Sequence, residues 1–401
     1  MKRTNLREFL AGFDWMLILA LIGLMIFGAA YIYSATMVNA PPAGTGIFAQ
    51  RWFRQVIWYA GGLVCAGLVA AICYNRITSY ALVFYWATII CLVGVLIPGI
   101  GSMRYGARRW IDVGFFQFQP SEFAKLALIL ALANYLGRPK EELREPRVFA
   151  TALGMIVLPF LLVFKEPDLG SALILLPIGL VMMFAAGIPG RYLARLLGGM
   201  TVLILLLLVD ILFAPPQWQI KLEEYQRRRL LVFFGRDFAA PDATEKERQL
   251  ARIMQRNHSY NVEQALISVG SGGLTGKGWL RGTQNALGYL PRAVAHNDFI
   301  FSVLAEESGF VGSVIVLTLY TVVLFVGIRI ASEARDRLGK LLAVGVVTLL
   351  FCHVFINIGM NIRLMPVTGV PLPLLSYGGS SVLCSLIAAG LLQNVHLHRR
   401  S

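Results

Sequence analysis

Long apolar runs, each about twenty residues and separated by short charged stretches, constrain this chain more than any other feature of its sequence. About 20 mainly apolar residues cross about 30 Å of hydrocarbon as a helix. Within lipid, only helices and closed barrels satisfy their own backbone polar groups. Ten segments of the 401 residues meet the helical template: 14–35, 56–74, 80–99, 120–137, 148–165, 168–188, 191–213, 298–329, 338–361 and 374–396. The fifth and sixth are parted by Lys165-Glu166-Pro167-Asp168, a charged turn that no continuous helix in lipid would carry. The expected fold is an all-α polytopic membrane protein, one integral domain over 1–401. A large extracytoplasmic loop, 214–297, separates spans seven and eight. Composition agrees, with 57% hydrophobic and 14% charged residues, where a soluble domain carries about 25% charged. Disordered, collagen-like and coiled-coil classes are excluded. The first apolar run outlasts a signal-peptide core of about 7–15 residues, so it reads as a retained span.

The net charge is +14, but the Lys and Arg residues lie between apolar runs, so topology and anionic lipid explain them better than nucleic acid. Loops on the side of the amino terminus hold sixteen basic residues, among them Arg3, Arg76, Arg138, Arg191, Arg335 and Arg399, and the opposite short loops hold about half as many. The positive-inside bias puts both termini in the cytoplasm. The 214–297 segment exceeds about 60 residues and is exempt from that bias. Within it, 220–234 and 243–256 read as helices lying at the interface. The five cysteines fall in or beside apolar runs and read as free thiols, and the five histidines form no metal-binding spacing.

Four polar stretches interrupt the apolar background, all on the inferred outer side. In 105–125, Arg108 and Arg109 offer paired guanidinium groups beside Trp110, suited to phosphate oxygens or lipid headgroups. Glu122 and Lys125 are three apart on one helix face and read either as an ion pair that fixes packing or as part of a site. Asp168, in the second stretch, suits a helix N-cap, with substrate contact as the other role. The third, 260–307, fails the P-loop template at Ser271 and Gly278. It carries Lys277, Arg281 and Arg292 and leads to a lone carboxylate, Asp298, for which N-capping and catalysis both stay open. The fourth, 357–381, has three prolines and, with them, Gly369, Gly378 and Gly379, which one ordinary helix cannot hold. Broken backbone at membrane depth is tolerated where it lines a cavity or is buried in protein.

Together GARRWID with FQPSEFAK, EPDLGSAL, YNVEQALISVGSGGLTGKG through LPRAVAHNDFIFSVLAEESGFVG, and MPVTGVPLPLLSYGGSS resemble the shape, elongation, division and sporulation (SEDS) family, in order and over nearly the whole chain. YQRRRLLVFF and GWLRGTQ look more like its elongation members than its division members. The resemblance implies a ten-span peptidoglycan glycosyltransferase in the bacterial cytoplasmic (inner) membrane that polymerises lipid II at the outer face. It also implies a class B penicillin-binding protein as the transpeptidase partner, beside other elongation-complex membrane proteins. The family's essential acidic residue matches Asp298, and its Glu–Lys pair matches Glu122 and Lys125. Two departures stand out. Arg292 and Asn297 replace family Glu and Thr, with an insertion between them, and Arg363 takes a place often held by Gly.

The chemistry that follows assigns Asp298 the proton of the acceptor hydroxyl. Arg108, Arg109 and Lys277, or a divalent cation (Mg or Mn, with Asp298 as a ligand), neutralise the leaving pyrophosphate. Glu122, Lys125, Gln284 and Ser376 complete the candidate substrate-binding set. No cofactor beyond that cation is implied. The competing class is a transporter that flips a lipid-linked precursor, which broken helices and buried charges would also suit. The outer-face position of the polar groups and the lack of an inverted repeat favour the enzyme, and a mere scaffold would not explain Arg108, Arg109 and Asp298.

Overall fold

The computed structural model describes residues 12–37, 46–104, 107–114, 116–213, 224–235, 245–290 and 294–400. In chain order the helices are α1 Trp15–Met37, α2 Arg51–Ala71, α3 Tyr74–Ser79, α4 Ala81–Leu96, α5 Pro120–Leu136, α6 Pro146–Lys165, α7 Leu169–Ala186, α8 Gly190–Phe213, α9 Glu224–Phe234, α10 Glu245–Ser271, α11 Thr283–Ala286, α12 Ile300–Glu333, α13 Arg337–Asn361 and α14 Gly379–Leu397. Eight of these are long and apolar enough to cross a membrane. The two other expected spans are α4, a shorter apolar helix of 16 residues, and α5, of 17 residues. At 1.5 Å per residue α5 spans about 26 Å, and its side chains are buried almost throughout because α4, α7, α13 and α14 pack around it.

Packing follows from where the chain is small. A Cβ on Gly390 of α14 would meet the Ala66 carbonyl of α2 at 2.7 Å, and one on Gly62 would meet Leu386 at 2.5 Å. Close backbone approach through small residues is how helices associate without a hydrophobic driving force. α13 and α14 are largely buried, whereas α8 has most of its apolar side chains exposed. α1 runs antiparallel to α12: Asp14, ahead of α1, pairs with Arg329 near the end of α12, while Ser34 meets Glu307 near its start. Glu333 and Arg399 pair at the same end as Asp14.

Two features were not expected. Residues 102–118 form a small antiparallel sheet, β1 Ser102–Arg104, β2 Ala107–Val113 and β3 Phe116–Phe118, with register pairs such as Met103 with Arg108 and Asp112 with Gln117. Helix α10 runs to Ser271, well beyond the expected 256, and packs on α12 and α13. Arg292 lies outside the described residues.

Candidate active site

Asp298 sits in the turn that leads into α12. Its carbonyl accepts from Asn357 Nδ2 and Asn361 Nδ2 of α13, each at 3.1 Å. Asn357 also donates to the Val370 carbonyl at 2.8 Å, and Ser302 Oγ donates to Asn361 Oδ1 at 2.6 Å. Ser376 Oγ donates to the Asn297 carbonyl at 2.6 Å and accepts from Leu372 N at 2.8 Å, and Tyr377 N donates to the His296 carbonyl at 2.9 Å. Ser376 is thus a backbone clasp between the proline-rich segment 362–378 and the Asp298 turn. That segment is irregular, as the prolines require, with Arg363 (φ 58°), Gly369 (φ 76°) and Leu374 (φ 63°) all in the left-handed region. Gly369 faces the carboxylate: a Cβ there would lie 3.7 Å from Asp298 Oδ2. The N-cap of α12 is Phe299, with no side-chain cap bond, so the capping role open to Asp298 is not the one it takes.

Around this half-buried carboxyl the fold gathers charge from three further elements. Arg109 of β2 donates through Nη2 to the Pro167 carbonyl and through Nε to the Glu166 carbonyl at 3.3 Å, and its Nη1 lies 3.9 Å from Asp168. Asp168 does cap α7, accepting from Ser171 N at 3.2 Å, and also accepts from Gln119 Nε2 and Ser121 Oγ. Arg229 of α9 donates to the Val367 carbonyl at 2.7 Å. Burial raises the Asp298 carboxyl to about 6, against the pull of Arg229 and then Arg109, with Asp168 adding to the rise. Burial lowers Arg229 to about 10, opposed by Asp298. Glu166 is wholly buried with both carboxyl oxygens unpartnered. Burial and then Asp168 push it up to about 9, so it is neutral at pH 7.

The other expected residues fall in three places. Arg108 is not paired with Arg109, because consecutive strand residues point to opposite faces. Glu122 and Lys125 do meet, at 2.6 Å, and Lys125 Nζ also lies 2.8 Å from His353 Nε2. His353 Nδ1 lies 3.1 Å from the Pro371 carbonyl, so it is the protonated nitrogen and Nε2 accepts from Lys125. That chain anchors α5 to the same proline-rich segment. Lys277 and Gln284 are not part of the Asp298 constellation and gather on Glu306 instead. Among the described residues no three His, Cys, Asp or Glu side chains converge. The Asp298 carboxyl feels Arg229 and Arg109, and Arg109 also lies beside Asp168, so the arginines already supply the positive charge and the set does not fit a resident divalent cation.

The family model described as "Cell cycle protein" (FtsW/RodA/SpoVE) matches residues 14–401. This chain belongs to the FtsW/RodA/SpoVE family. It is 36% identical over 389 residues to the peptidoglycan glycosyltransferase MrdB of Escherichia coli K12, covering 96% of this chain and 94% of that protein. It is 34% identical to the peptidoglycan glycosyltransferase RodA of Treponema pallidum, covering 96% and 97%. Among solved structures it resembles a chain from a peptidoglycan synthase complex in which polymerization and crosslinking are coordinated (TM-score 0.74, 29% identity, 97% and 99% covered). It also resembles the rod shape determining protein RodA of Thermus thermophilus (TM-score 0.65, 29% identity, 97% and 98% covered).

Three side chains of this FtsW/RodA/SpoVE-family site were not singled out from sequence: Arg229, Glu166 and His353. The signal for Arg229 was present, a basic residue amid YQRRRLLVFF, but nothing local says which of three arginines turns inward.

Proposed function

We propose that the protein is a peptidoglycan glycosyltransferase that polymerises lipid II during cell-wall elongation, with Asp298 as general base. The observation that carries the reading is the half-buried Asp298 carboxyl, raised to about 6 and under the charge of Arg229 and Arg109, at one end of a membrane helix bundle. At neutral pH it is ionised and able to accept a proton. The acceptor sugar hydroxyl gives its proton to the Asp298 carboxylate as its oxygen bonds to the donor's anomeric carbon. The bond from that carbon to the pyrophosphate oxygen breaks, and the electron pair leaves with undecaprenyl pyrophosphate. Displacement from an α-linked donor gives a β-linked polymer. Arg109 and Arg229 stabilise the growing negative charge. No protonating acid is needed for a pyrophosphate leaving group, so Asp298 alone has to handle a proton in the step. Any Mg or Mn ion would travel with the substrate pyrophosphate.

The reading places the site at the outer face of the cytoplasmic (inner) membrane with both termini inside, which the Lys/Arg bias of the loops supports. It also gives the enzyme a class B penicillin-binding protein partner, beside other elongation-complex membrane proteins. The polar groups collect at one end of the bundle, whereas a transporter keeps its substrate site near the midplane. The test is polymerisation of lipid II by the purified protein, with and without the partner. Glycan strands made by the wild type and lost in Asp298→Asn support the reading, while an active Asp298→Asn overturns the assignment of the base.

A further inference from the structure

On α13, His353, Asn357 and Asn361 follow one another at intervals of four residues, so their side chains share one face of the helix. That face meets the irregular segment 362–378. His353 and Asn357 reach the successive carbonyls of Pro371 and Val370, and Asn357 and Asn361 reach the carbonyl of Asp298. Of the three, Asn357 alone touches both. Its Nδ2 donates to the Val370 carbonyl at 2.8 Å and to the Asp298 carbonyl at 3.1 Å, which uses both protons of one amide. Its orientation follows from the network, because only the nitrogen can serve two carbonyls and its Oδ1 accepts from Asn361 Nδ2 at 3.3 Å. Asn357 is wholly buried.

The stretch that Asn357 holds is the one that faces the carboxylate. Residues 367–370 carry the Arg229 bond at the Val367 carbonyl, the left-handed Gly369 whose Cβ would stand 3.7 Å from Asp298 Oδ2, and the Asn357 bond at the Val370 carbonyl. Arg229, whose charge acts on the Asp298 carboxyl, is thus anchored to one end of a short piece of backbone. Asn357 ties the other end to the residue that bears the carboxyl. Farther along, the segment is held by groups that make no bond to Asp298. Tyr320 Oη donates to the Pro373 carbonyl at 2.5 Å, and Gln55 Nε2 donates to the Ser376 carbonyl at 3.1 Å.

We propose that Asn357 is a positioning residue for the transfer step, setting the Asp298 carboxylate against Arg229 by tying the Asp298 carbonyl to Val370. The proposal rests on the reading of Asp298 as the base. Buried as it is, Asn357 does not touch the substrate, so it acts on turnover and not on substrate affinity. Misplacing a reacting group by about 1 Å costs about 10²-fold in rate. The role demands a side chain with two protons to give: alanine has none, and serine has one.

The test measures lipid II polymerisation by the purified full chain, at temperatures well below each variant's melting point. Values of kcat and KM and the pH profile are compared for the wild type, Asn357→Ala, Asn357→Ser and Tyr320→Phe. In Asn357→Ala, kcat should fall at least about tenfold while KM for lipid II stays within about threefold. The pH at which the rate levels off should also be displaced, because the carboxyl's value depends on its burial and on Arg229. Tyr320→Phe loses one buried bond of the same segment, and should lower the melting temperature while leaving kcat and the pH profile as they are. Asn357→Ser can serve one carbonyl at most, and it decides the matter if Asn357→Ala does not fold. A fall in kcat with the pH profile unmoved is a loss of folded enzyme and overturns the proposal. So does wild-type turnover in the Asn357 variants, or an equal loss in Tyr320→Phe. An active Asp298→Asn strikes the base itself, and the proposal with it, so the two failures are told apart.

Discussion

Asp298 is clamped through its backbone, by Asn357, Asn361 and the Ser376 clasp on its neighbour, while its carboxyl makes no cap bond on α12. Position and charge are therefore separable by mutation. Asp298→Asn keeps the size and the backbone clamp and removes the base. General-base catalysis contributes about 10²–10⁴-fold, so polymerisation should fall by at least about 100-fold while the melting temperature holds or rises. With the carboxyl at about 6, wild-type polymerisation should rise with pH and level off above that value. A rate flat from pH 5 to 8 would count against the assignment. Glu166 makes the complementary case. Its carboxyl is raised to about 9, so the folded state holds a proton that the unfolded chain releases at an ordinary carboxyl value of about 4.3. Stability from this group is thus undiminished below about 4, declines as pH rises, and is flat above 9, with a slope of ~1.4 kcal/mol per pH unit between. Glu166→Gln, which is neutral throughout, should become progressively more stable than the wild type between pH 5 and 9. A melting-temperature difference that does not change with pH would show that Glu166 is ionised in the fold.

At the scale of elements, the eight helices long and apolar enough to cross a membrane were legible because lipid forces the whole backbone demand of a span onto its own residues. The sheet at 102–118 was not, because β1 and β3 are three residues long and too short to show a period of two. The same blind spot made Arg108 and Arg109 look paired, when the pleat sends only Arg109 to the 166–168 turn. The break in α12 was hidden as well: Gly309 inside an apolar run reads as an ordinary packing glycine, and only the docking of 272–278 makes it a joint. The Glu122–Lys125 spacing, by contrast, was read correctly, and the structure adds His353 as the link from α5 to α13 and the Pro371 carbonyl. Removing one partner of a buried ion pair costs about 3–5 kcal/mol because the other charge is left uncompensated. Glu122→Gln and Lys125→Met should each destabilise strongly, and the double variant should lose much less than the two effects added. Strict additivity in a thermal or denaturant melt would mean that the two residues act apart.

Across the whole molecule, the bundle has two chemically different ends. One holds Asp14, Arg329, Glu333 and Arg399 in two ion pairs. The other holds the sheet, the Asp298 turn and the broken segment 362–378, so the backbone irregularity of the chain concentrates at the end where the charges of the site converge. Under the proposed function, glycosyl transfer to a polymer that leaves the membrane needs that second end to face outward, and the Lys/Arg excess of the loops at the first end supports the same orientation. The agreement can be tested without any enzyme assay. With the five native cysteines replaced, a cysteine at exposed Lys246, at the start of α10, should react with an impermeant maleimide in intact spheroplasts. One at exposed Arg335, between α12 and α13, should react only after the membrane is permeabilised. The reverse pattern would turn the bundle over, move Asp298 to the cytoplasmic side, and leave an outer-face polymerase without its site, while the packing of the helices would stand as it is.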